Sequence, residues 1–160
     1  MSDGNPGFAY IKALNDTFYD QIKVADQKAT LMISLIVLMI VWSPDVRQIY
    51  LQPFGVADGG WLPAAVVTVA LVVALVSALC VVAPRTRKSR SPLFWGGWPE
   101  AGDAAIALAI EGDREKLLRS YAENAAHLAV ICRRKYLFVS IAVWALIVAL
   151  VAHGVFVTIR

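Results

Sequence analysis

Residues 61–83 read WLPAAVVTVALVVALVSALCVVA, 23 positions without a charge, opened by Gly59, Gly60 and Pro63 and closed by Pro84 and Arg85. About 20 predominantly apolar residues suffice for a helix to cross a hydrocarbon layer roughly 30 Å thick, so this stretch is read as a transmembrane span. A second uncharged run, Tyr136 to Ile159, has 24 residues, interrupted only by Ser140, His153, Gly154 and Thr158. It crosses as well. A third run, Ala29 to Trp42, has 14 uninterrupted residues, and at 1.5 Å per residue it covers only about 21 Å. It spans if Val24 to Lys28 enter the interface with Lys28 snorkelling, or if the bilayer thins around it.

The whole-chain figures agree with a membrane protein. Of 160 residues 59% are hydrophobic and 17% charged, and the mean hydropathy is +0.63, too apolar for an ordinary soluble domain. The two cysteines, Cys80 and Cys132, cannot form a disulfide framework. Twenty-eight mostly polar residues precede the first apolar run and Ser43-Pro44-Asp45 follows it, which is not the layout of a cleaved signal peptide. The net charge is +3, but 10 of the 15 Lys and Arg lie between Arg85 and Lys135. The positive-inside rule therefore places that segment in the cytoplasm. Three spans then put the N-terminus inside and the C-terminus outside. The expected divisions are a cytosolic stalk helix (1–28), the first span (29–43), an extracytoplasmic loop (44–60), the second span (61–83), a cytosolic basic and aromatic linker with a second stalk helix (84–135), and the third span (136–159).

The stalks are legible as stripes. Phe8, Ile11, Phe18, Ile22, Ala25 and Ala29 recur at 3-4 spacing, with Asn15 at the missing seam position. No Pro or Gly intervenes between Phe8 and Pro44, so the stripe runs into the first span as one helix of about 50 Å. After Gly112, Asp113 is placed to cap a helix whose Leu118, Tyr121, Ala125, Leu128 and Cys132 repeat at the same spacing up to Lys135 and Tyr136. The expected fold is all-α: three transmembrane helices, the first and third continuing into cytosolic amphipathic stalks. Two such stripes must be buried against each other or against other copies of the chain, so a homo-oligomer is expected.

Few residues suggest chemistry. Glu123 and His127 at i, i+4 could share a metal, but two ligands from one helix do not make a site, and no metal is expected. Neither cysteine has a general base near it in sequence, no phosphate-cradling glycine loop occurs, and the basic run lacks a nucleic-acid fold motif. No catalytic residue and no nucleic-acid partner are assigned. Arg85, Arg87, Lys88 and Arg90 suit topology and anionic lipid headgroups, and Phe94, Trp95 and Trp98 suit an interfacial belt or a stacking platform for a base. Asn15 is either a register-setting seam residue or a hydrogen-bonding group for a ligand. Asp26 at the edge of a short span requires a cation such as Lys28 or Lys135, and the three are read as a structural or switch ion pair.

The order of these pieces resembles the small transmembrane effectors of the bacterial Pycsar antiphage system. The resemblance rests on N-x-x-F-x-x-Q (Asn15, Phe18, Gln21), A-D-x-K-A (Ala25, Asp26, Lys28, Ala29), L-F-[FW]-G (Leu93, Phe94, Trp95, Gly96) and K-Y (Lys135, Tyr136), and it covers nearly the whole chain. It implies an effector in the bacterial inner membrane that senses cyclic CMP or cyclic UMP made by a partner pyrimidine cyclase and then impairs the membrane, causing abortive infection. The cyclic nucleotide is the activating ligand, with no other cofactor. Such a ligand brings one negative charge and one base. Lys28, Arg134 and Lys135 suit the phosphate, Phe94, Trp95 or Tyr136 the base, and Asn15 or Gln21 its polar edge. The alternative is a ligand-independent membrane subunit or holin-like pore former.

Overall fold

In lipid a single segment satisfies all its backbone amides only as a helix, and the uncharged runs fold that way. The structure, a computed structural model, describes residues 6–44, 46–47, 61–83, 102–103, 106–107 and 110–159. Among these the long elements are α1 (Pro6–Trp42), α2 (Trp61–Val82) and α3 (Arg114–Ile159), and no described residue is in a strand. Each contains a stretch long and apolar enough to cross a bilayer, and α1 and α3 are unbroken where a stalk was expected to pass into a span. The loop at 48–60, the basic hinge Pro84–Pro92 and the aromatic segment with Phe94 and Trp95 lie outside the described residues.

The chain divides into two compact units, one of residues 1–24 and 84–134, the other of residues 25–83 and 135–160. In the second unit the helices pack through small side chains. Ala25, Ala29, Ala78, Val81, Val139 and Ala142 form one buried cluster. Ile36, Val46, Ala64, Val67, Ala70, Leu71, Ala74, Ala149 and Phe156 form another. Alanines four apart (Ala25 and Ala29; Ala70, Ala74 and Ala78) present only a Cβ on one face, so backbones approach closely and gain dispersion contacts. Large side chains point outward instead, among them Leu31, Leu38, Val69, Val76, Trp144 and Val151. Such a surface suits lipid rather than water. Trp42, 81% exposed, and Trp61, 51% exposed, lie at the end of α1 and the start of α2, where an interfacial aromatic belt is expected.

Burial continues past the end of α1. The Ser43 N–H donates to the Met39 carbonyl at 3.1 Å and the Arg47 N–H to the Ser43 carbonyl at 3.1 Å, while the Val46 N–H reaches Ser43 Oγ at 3.4 Å. Ser43 thus ends α1 and caps one further turn, with Pro44 at the first position, where a missing N–H costs nothing. Val46, 1% exposed, packs in the cluster with Ile36 and Phe156.

The start of α3 follows from local chemistry. Gly112 adopts φ +68°, where a Cβ is strained, and turns the chain so that Asp113 caps the helix. Asp113 Oδ1 accepts from the Glu115 and Lys116 N–H groups at 3.1 and 3.2 Å, and Lys116 Nζ lies 3.2 Å from Oδ2. The Lys116 backbone N–H, followed by its ammonium, holds the Asp113 carboxyl below the ordinary aspartate value. A lowered folded-state pKa stabilises the folded form above the unfolded value, and that contribution is lost as pH falls through the folded one. The first turn of α3 is therefore expected to fray below about pH 4. Backbone chemical shifts of Glu115 and Lys116 across an acid titration report this. Asp113→Asn, still a good cap, should abolish the pH dependence, whereas Asp113→Ala should fray the turn at every pH.

Candidate functional site

Apolar seams gain specificity from the polar residues set into them, and α1 and α3 carry such residues in both units. Leu128, Lys135, Ala142, Ala149 and Phe156 are all buried on α3, seven residues apart, as are Asn15, Ala29 and Ile36 on α1 at multiples of seven. That is the coiled-coil repeat, with Asn15 and Lys135 standing at positions otherwise held by apolar groups.

In the first unit the polar layer is a pair of asparagines. Asn15, 3% exposed, donates through Nδ2 to the Ile11 carbonyl at 3.0 Å and the Tyr121 carbonyl at 3.0 Å. Its Oδ1 accepts from Asn124 Nδ2 at 2.7 Å. Two carbonyls fix which end of the Asn15 amide is nitrogen, so its oxygen must face Asn124. With both Nδ2 hydrogens engaged, Asn15 acts here as a seam residue. Phe8 closes the same helix pair with an edge-on contact to Tyr121, ring centroids 5.3 Å apart. Asn124, buried to the same 3% and with its own Oδ1 unpartnered, was not singled out in the sequence. It lies three residues after Tyr121 and four before Leu128, at a 3-4 position that alternates with Ala125 between the same two stripe residues.

In the second unit the layer is ionic. Lys135 Nζ donates to Asp26 Oδ1. The lysine side chain is 9% exposed and that of Asp26 39%. Two residues on, the Lys28 ammonium stands 5.7 Å from the centre of the Tyr136 ring, within cation–π range. The structure therefore brings Asp26 to Lys135 and Lys28 to Tyr136. Lys28 is exposed, as are Gln21 and Arg134, which belong to the first unit. Glu123 is engaged by Arg119 at 3.5 Å.

Four hydroxyls of the spans are turned inward on their own helices. Thr30, Ser34, Thr68 and Thr158 each donate to the carbonyl four residues earlier, at 2.8 to 3.0 Å. This satisfies the hydroxyl in lipid without building a polar face.

A family model described as the Pycsar effector protein domain matches residues 10–160. The chain belongs to the Pycsar effector family. The match takes in both polar layers, since Asn15, Asp26, Asn124 and Lys135 all fall inside it. No curated protein and no solved structure matched this Pycsar effector. Family and membrane-spanning helices together make it a membrane effector of the Pycsar antiphage system. The lipid bilayer is accordingly its partner.

Proposed function

We propose that this Pycsar effector is switched by a cyclic pyrimidine mononucleotide, cyclic CMP or cyclic UMP, supplied by a functionally linked pyrimidine cyclase, and that it then self-associates and impairs the bacterial inner membrane, causing abortive infection. The observation that carries the reading is the group on the second unit: a buried lysine, Lys135, a second ammonium at Lys28, and the Tyr136 ring beside it. A phosphodiester needs a cation or two and a base needs a ring to stack on, and these residues offer both. Asn15 is committed to its seam, so the phosphate end of the ligand is assigned to Lys28 and Lys135. Positive-inside counting puts these residues at the cytoplasmic face, with the N-terminus inside, where a cyclase product would reach them. Damage by bilayer disruption or a narrow transient opening suits spans in which Thr30, Ser34, Thr68 and Thr158 bond to their own backbones. No catalytic role is assigned.

Thermal unfolding of the full chain in detergent tests the ligand. A site on the folded state alone adds about 2.7 kcal/mol at 100 times the dissociation constant, so the midpoint should climb with cyclic CMP or cyclic UMP and stay put with cyclic AMP. A cooperative transition indifferent to all three would refute nucleotide sensing and favour the ligand-independent, holin-like reading.

A further inference from the structure

We propose that the Asp26–Lys135 ion pair is the lock of the resting state and that the anionic phosphodiester of the ligand opens it by replacing the Asp26 carboxylate on Lys135. The inference rests on the nucleotide-sensing reading for the identity of the anion, but not for the existence of the lock.

The two partners are unequal. Lys135 sits on the buried repeat of α3, whereas Asp26 keeps 39% of its side chain exposed. An anion arriving from water can therefore take the place of the carboxylate while the ammonium stays where it is. Asp26 pairs with Lys135, while the Lys28 ammonium, two residues along α1, lies over the Tyr136 ring. An incoming anion would therefore meet the Lys135 ammonium and the nearby Lys28 ammonium of the same unit. Lys28 is exposed and already lies against Tyr136, so the anion would gain a second cation and a ring within the same turn.

Release of Asp26 acts on the tightest packing in the unit. Ala25 and Ala29, which bracket it, are both 0% exposed and pack in the cluster containing Ala78, Val81, Val139 and Ala142. A carboxylate that has lost its cation at the edge of a span is pulled toward water. It draws the adjoining turn of α1 with it. The ligand favours the loosened state because only there is Lys135 free to receive it, which is the differential affinity a population shift requires.

Dye leakage from vesicles reconstituted with the full chain, with and without cyclic CMP and cyclic UMP, reads the lock. Asp26→Asn, which keeps the side chain's shape while removing the competing charge and leaving Lys135 without its counter-ion, should leak about tenfold faster than the parent without nucleotide, and should respond at about tenfold lower nucleotide concentration. Asp26→Lys should also leak without nucleotide, and adding Lys135→Asp to it should suppress that leak about tenfold by restoring a pair of opposite hand. The lock is overturned if Asp26→Asn is as tight as the parent with the same half-maximal nucleotide concentration, or if the reversed pair leaks as fast as Asp26→Lys alone. Should Asp26→Asn fail to assemble, the reversed pair decides. A parent protein that ignores nucleotide while Asp26→Lys leaks and its reversed partner does not would sink nucleotide sensing and leave the lock standing.

Discussion

Asn15→Leu alone is expected to weaken the first unit sharply, and Asn15→Leu with Asn124→Leu to restore it to the parental level or above. The single substitution strands the Asn124 amide, whose Nδ2 loses its acceptor while its Oδ1 already has no partner. Each buried polar group left unmade costs about 1–3 kcal/mol, so the single change should cost about 2–4 kcal/mol. Replacing both residues removes the orphan and adds aliphatic packing at a coiled-coil position. Hydrogen exchange of the α1 amides around Asn15 measures the effect within that unit. A double variant less protected than the single would show that the asparagine layer is a net source of stability. What the double variant should lose is pairing specificity, because a buried Asn at one repeat position penalises shifted registers.

An equally large effect is expected at the alanine seam. Ala29→Leu and Ala142→Leu each force three extra carbons into positions with 0% exposure. In a water-soluble core such overpacking costs about 1–3 kcal/mol after some return from added burial. Here the return is missing, because a leucine already enjoys an apolar environment in lipid. Both residues belong to one cluster, so their joint cost should depart from the sum. Val69→Leu, on a face 62% exposed, should stay within about 0.5 kcal/mol of the parent. Unfolding midpoints in mixed detergent compare the three, and an Ala29→Leu protein as stable as the Val69→Leu control would mean that the helices do not need their close approach.

How legible each feature is in the sequence depends on how local its signal is. The runs at 61–83 and 136–159 announce themselves because charge is excluded from lipid whatever the neighbours do. The Asp113 cap is visible because capping is a matter of a few adjacent residues. Partnerships between distant segments are different, since α1 and α3 each offer several 3-4 stripes and only contact selects one. Asn124 escaped for that reason: the stripe through Ala125 and Cys132 was equally regular, and the burial of Asn124 depends on Asn15 lying opposite. The Asp26 and Lys135 partnership was more accessible, because an ionisable group at a membrane edge demands a counter-charge and few were on offer. Ser43 follows the last residue of α1, near where the apolar run stops, and the burial of Val46 beyond it carries no signal in the adjacent residues because it depends on distant partners such as Phe156.

The Asn15–Asn124 and Asp26–Lys135 contacts both join residues 109 positions apart, and this bears on how the protein is made. At a synthesis rate of about 5–20 residues per second, Lys135 follows Asp26 by about 5–20 s. During that interval α1 and α2 exist without the third helix, and the Asp26 carboxylate waits at the bilayer edge without the ammonium it will face. The Asp26–Lys135 contact cannot form until translation has passed Lys135, so a ribosome that stalls earlier releases a product lacking the counter-charge that completes the seam.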